Sequence, residues 1–116
     1  MTGSQPKREI NIRAEYLRLI TDGVKTVEVR VGYQRMRTIQ PGQELTFVSG
    51  DQRVPTTVKR VTEYVSFAEM LDHEDPRSIG GDLGESRDDL LAVIRSIYPP
   101  EKERLGVLAI EVELAR

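Results

Sequence analysis

Gly23-Val24-Lys25-Thr26-Val27-Glu28-Val29-Arg30 is the stretch on which the reading of this chain turns. A glycine ends a helical pattern, and a few residues later the apolar period falls from 3.6 to 2. Val27, Val29 and Val31 then share one face of a strand, with Thr26, Glu28 and Arg30 on the other. Lys25, at the turn edge, is expected to swing over the same mouth. Two cations and a carboxylate would so converge on a small cleft. A guanidinium fork suits phosphate or carboxylate, and a lysine supplies a point charge or a general acid. A glutamate can serve as general base or accept from a base amino group. Without a ligand, the same spacing fits a solvated strand face carrying a Glu28–Arg30 or Lys25–Glu28 ion pair.

Before this stretch, Glu9-Ile10-Asn11-Ile12 alternates as a short strand, and Ala14, Leu17 and Ile20 recur at helical spacing. After it, Pro41-Gly42 marks a turn into a strand over 44–49, and Gly50-Asp51 marks the next. Residues 53–65, rich in valine and threonine but interrupted by Pro55, read as one bent strand or two sharing a bulge. Ser66 and Glu69 have capping-box spacing and open a short helix that ends by Pro76. Residues 75–86 carry three glycines and a proline, which predicts a mobile surface loop. Ser86 or Asp88 then caps a helix whose stripe of Leu90, Leu91, Ile94, Ile97 and Tyr98 reads as core, closed by Pro99-Pro100. A final half-buried strand alternates from Gly106 to Leu114.

These elements predict an α+β fold: a curved sheet of about five or six strands with two to three helices. Its domain is expected over residues 7–116, after a frayed tail at 1–6. In 116 residues a second core is not expected. No run is long and apolar enough to span a membrane, and MTGSQPKREI lacks a signal-peptide core, so the expected location is the cytoplasm. Zero cysteines exclude thiolate zinc sites and thiol nucleophiles, and the single His73 excludes a two-histidine ribonuclease. Neither a metal nor a cofactor is expected, and no Walker-type or G-x-G-x-x-G loop is present.

Net charge is −2, but it is unevenly spread. Residues 1–60 hold 11 basic and 6 acidic side chains, and the remainder 6 and 13. Either the first half presents an electropositive surface or the two halves neutralise each other. Arg13, Arg18, Arg35 and Arg37 are the candidates for such a surface, with Tyr33 beside the last two. Tyr64 and Ser66, at a strand end, could contact a base or phosphate, although Ser66 is already accounted for as a helix cap.

Gly23, Lys25, Glu28 and Arg30 also reproduce G-x-K-x-x-E-x-R, and by these residues the chain resembles the ASCH domain family. Four such positions coincide by chance in a chain of this length about once in a thousand. The preceding helix with Tyr16, Leu17 and Ile20, the Pro41-Gly42 turn, Tyr64-Val65-Ser66-Phe67, Tyr98-Pro99 and the last strand extend the resemblance from Ile10 to Leu114. The resemblance implies a PUA-like β-barrel and an RNA-binding or RNA-processing role, with Lys25, Glu28 and Arg30 in a cleft and Gly23 as its turn. It implies RNA or another single-stranded nucleic acid as partner; a nucleoside-like small molecule is the alternative, and the lack of a long apolar run gives no membrane partner. A monomer is assumed. As a metal-independent ribonuclease, the chain would use Glu28 as base and Lys25 or Arg30 to stabilise the phosphate. In the small acetylcytidine amidohydrolases of the family, a threonine proposed as nucleophile stands where this chain has Glu28. Thr26 lies two residues early, so hydrolysis by that route is not expected.

Overall fold

The structure, a computed structural model, describes residues 8–80 and 86–115. The expected tail at 1–6 lies outside the described residues, as do residues 81–85 of the expected loop. In chain order the elements are β1 (Arg8–Asn11), α1 (Ala14–Thr21), β2 (Val27–Val31), a 3₁₀ turn (Met36–Thr38), β3 (Glu44–Ser49) and β4 (Gln52–Tyr64). They continue as α2 (Phe67–His73), α3 (Pro76–Gly80), α4 (Arg87–Ile97), α5 (Pro100–Glu103) and β5 (Val107–Leu114).

The strands form one sheet in the order β1-β3-β4-β5-β2, with β1 and β3 parallel and the other pairs antiparallel. It curls into a half-barrel, the α+β architecture expected, with β1 and β2 as its two edges. β4 is a single long strand whose register slips between Val58 and Arg60. A bulge of this kind bends and twists a strand, which lets β4 serve both halves of a curled sheet. Pro55 pairs with Thr46 just before β5 begins to flank β4 at Thr56.

Cores form on both faces of the sheet. On one, Leu17 and Ile20 of α1 pack with Leu45, Phe47, Leu108 and Ile110. On the other, Val27, Val31, Val107 and Ala109 meet Phe67 and Met70 of α2, Ile79 of α3, and Leu90 and Ile94 of α4. Truncating Phe47 or Phe67, both fully buried, would cost about 3–5 kcal/mol. β5 therefore departs from the half-buried strand expected: Val107 to Ile110 are buried on both faces, because β5 lies between β4 and β2 with cores above and below.

The helix signals hold, with additions. Ser66 Oγ accepts from the Glu69 N–H at 3.0 Å, while the Glu69 carboxylate accepts from Val65 rather than from Ser66. Ser86, not Asp88, caps α4 in a reciprocal box with Asp89. Such caps each contribute about 1 kcal/mol. The loop expected at 75–86 is helical in its first half, where α3 buries Ile79 and Gly80 against β2 and α4. Pro99-Pro100 does end α4, but Pro100 also opens α5, since a proline at the first helical position gives up only an N–H that would be unpaired anyway. Among the described residues no helix is long and apolar enough to cross a membrane.

Candidate functional site

Gly23 adopts φ +77°, the left-handed conformation that stops α1, and its N–H bonds Ile20 O. A side chain there would meet nothing within 4 Å, so the glycine serves the turn and not a close approach. Val24 and Lys25 both donate backbone N–H groups to Leu19 O, and the Thr26 N–H bonds Ser78 O of α3. This tight exit carries Lys25 inward instead of over the mouth. Its side chain is 4% exposed, and Nζ donates to Val27 O at 2.8 Å and Ile79 O at 2.7 Å and meets Glu28 Oε1 at 3.1 Å. Burial pushes the Lys25 amine below its ordinary range, and the pull of Glu28 only partly offsets this. All three partners are acceptors, however, a set that only the ammonium form can satisfy.

Glu28 and Arg30 face the α1 side of the sheet, opposite Ile110 and Leu108 of β5. Glu28 Oε2 accepts from Arg30 Nε at 2.6 Å. Burial works against its charge, but Lys25 and Arg30 together outweigh burial and hold the carboxyl below its usual range. Both ion pairs considered from the spacing are therefore formed, and in the interior, not on a solvated face. Arg30 Nη2 also donates to Asn11 O of β1 at 2.6 Å, so its guanidinium ties together the two edges of the half-barrel.

Where these edges approach, a cavity of about 210 Å³ opens. Asn11, Ile12, Arg13 and Tyr16 line it from the N-terminal side, and Lys25, Glu28, Val29 and Arg30 from β2 and the turn before it. Ile79, Leu90, Val93, Ile94, Ile97 and Tyr98 supply an apolar wall. Burial raises the Tyr98 phenol above its ordinary value, so it stays protonated at neutral pH. Pockets that enclose whole drug-sized ligands start at roughly 300 Å³, so this one suits a single ring-sized group.

The cavity thus gathers Lys25, Glu28, Arg30 and Arg13 of the residues singled out from the sequence. Gly23 and Thr26 support it from the turn without lining it. Tyr64 and Ser66 are elsewhere: the Tyr64 hydroxyl donates to Glu74 at 2.5 Å, its ring stacks on His73, and Ser66 caps α2. Arg37 is spent on Gly32 O, Leu105 O and both carboxylate oxygens of Glu63. Arg60 and Lys59 likewise pair with Glu74 and Glu111. For these three, basic first half and acidic second half do neutralise each other. Arg13, Arg18 and Arg35 remain exposed and outside any ion pair among the described residues.

Sequence reasoning missed Asn11, Val93, Ile97 and Tyr98 as parts of the site. The α4 stripe was visible, but Ile97 is 47% exposed at the cavity instead of sealed in the core. Among the described residues no group of His, Cys, Asp or Glu is arranged to hold a metal ion.

The family model of the ASCH domain matches residues 10–116. Two solved structures resemble the chain over nearly its full length. The crystal structure of the hypothetical protein PH0355 is 33% identical with a TM-score of 0.86, covering 95% of this chain and 100% of that one. The solution NMR structure of protein PF0455 from Pyrococcus furiosus is 32% identical with a TM-score of 0.77, covering 96% and 99%. No curated protein matches the sequence.

Proposed function

The chain belongs to the ASCH domain family, PUA-like domains that are generally RNA-binding, and from that premise we propose that it is an RNA-binding module that takes one base into the cavity between β2 and α4. The observation that carries this is a ring-sized, mostly apolar cavity, lined by Tyr16 and Tyr98, whose one partly committed cation is Arg30. Single-stranded RNA is read by burying an unstacked base against aromatic and apolar walls while its edge meets a few polar groups. The exposed Arg13, at the cavity, and Arg18, on α1, would hold phosphates.

The ribonuclease alternative is less well supported. It needs Glu28 to accept a proton, yet both oxygens of that carboxylate face cations and its pKa is held low, which makes it a weak base. No other carboxylate lines the cavity among the described residues.

The test is fluorescence anisotropy with labelled single-stranded RNA at about 50 and 200 mM salt in EDTA, with the same samples run on a gel. The comparison is Ile97→Glu, which charges the cavity wall at a half-exposed position with little effect on folding. RNA bound uncut, more weakly at the higher salt and at least about tenfold more weakly by the variant, is expected. Cut RNA would restore the nuclease reading. Binding of mononucleosides but not of strands would make the cavity a metabolite site.

A further inference from the structure

The triad at the base of the cavity is unevenly spent. Lys25 has no donor left: its three N–H groups face Val27 O, Ile79 O and Glu28. Glu28 gives one oxygen to Lys25 and the other to Arg30. Arg30 uses Nε on Glu28 and one hydrogen of Nη2 on Asn11 O, which leaves both hydrogens of Nη1 and one of Nη2 without a protein partner among the described residues. Two bonds of 2.6 Å fix the plane of the guanidinium, so Nη1 and Nη2 remain as a preorganised pair of neighbouring donors. The apolar side chains around it offer nothing to pair with a donor on the ligand, and the Tyr16 and Tyr98 hydroxyls, like an amide, can present either a donor or an acceptor. Asn11, whose amide can present either a donor or an acceptor, adds no bias.

Resting on the reading that the cavity takes a base, we infer that it selects one with two adjacent hydrogen-bond acceptors and that Arg30 makes the selection. Guanine meets this requirement through O6 and N7, and cytosine through O2 and N3. Adenine sets the N6 amino group beside each of its ring acceptors on that edge, and uracil sets N3–H between its two carbonyls. Either would turn an N–H toward the N–H groups of Arg30 and leave a polar group unpaired in the cavity.

Anisotropy titration of pentaadenylates whose central base is A, U, C or G tests this. A central G or C is expected to bind about tenfold or more tighter than A or U, the size of one good bidentate contact. If G gives the gain, 7-deazaguanine at the same position should lose it; if C does, 3-deazacytosine should. These substitutions act on the ligand and leave the protein fold untouched. Arg30→Lys keeps the charge without the fork, and should level the four affinities. Equal affinities in the unmodified protein, a preference for A or U, or a preference unchanged by the deaza bases or by Arg30→Lys would overturn the inference while leaving the RNA-binding reading standing. No binding to any pentamer would overturn both.

Discussion

Glu28 and Glu74 are both 7% exposed, and each is clamped by an arginine and a second donor, yet the two regions behave as opposites. Around Glu74, Arg60 donates from Nη1 and Nη2 to the carboxylate, from Nε to Glu111 and from Nη1 to Thr62, while Tyr64 adds its hydroxyl. Every nitrogen of that guanidinium is committed. Around Glu28, Arg30 commits two nitrogens, leaves Nη1 without a partner among the described residues, and lines a cavity. The more exposed side chain, Arg60 at 38% against 19% for Arg30, is thus the one with less left to offer, a single Nη2 hydrogen. Exposure alone does not mark a binding arginine; what decides is how many of its donors the fold has already used.

The comparison can be broken most forcefully at Glu28. Glu28→Ala leaves the buried Lys25 and Arg30 facing each other without their anion, and a loss of about 3–5 kcal/mol in denaturant unfolding is expected. A loss below about 1 kcal/mol would mean that the triad is not the buried clamp described.

Acid acts on both clusters at once and should cost less, because protonated side chains still fill their space. Glu28 and Glu74 are both held below the ordinary carboxylate range, Glu28 by the cations that outweigh its burial and Glu74 chiefly by its hydrogen bonds from Arg60. The folded state therefore binds these protons less readily than the unfolded one. The stability they contribute is complete above the unfolded value of about 4.3 and is lost as pH falls through the folded values. Unfolding midpoints measured from pH 7 to 2 should decline at the acid end, and Glu28→Gln should flatten that decline.

Glu74→Ala sharpens the contrast. Arg60 can turn to water, so the expected loss is about 1–3 kcal/mol. RNA affinity should not change, since the cluster does not line the cavity. A variant that folds but binds weakly would place the ligand on the wrong side of the molecule. Smallest is Gly23→Ala: with φ at +77° and open space around it, only backbone strain is at stake, about 1 kcal/mol by thermal melting.

Much of this was legible locally. The valine alternation of β2, the glycine that stops α1 and the caps at Ser66 and Ser86 are short-range signals, and each forms where the pattern places it. Of the residues that carry the resemblance, Lys25, Glu28 and Arg30 line the candidate cavity. What the sequence could not show depends on distant partners. Lys25 turns inward because a carbonyl 54 residues away, Ile79 O, receives it. Arg30 reaches Asn11 across the opening between the two sheet edges, a contact with no local signature. Ile97 read as core because an apolar stripe looks the same whether it faces a sealed interior or an open cavity wall.

Arginine side-chain NMR addresses the contrast directly. With ¹⁵N-labelled protein and a short single-stranded RNA, the Nε–H resonance of Arg30 and the amides of Val93, Ile97 and Tyr98 should shift, while the Nε–H of Arg60 stays in place. Shifts centred on Arg60 and Tyr64, with Arg30 unmoved, would contradict the account.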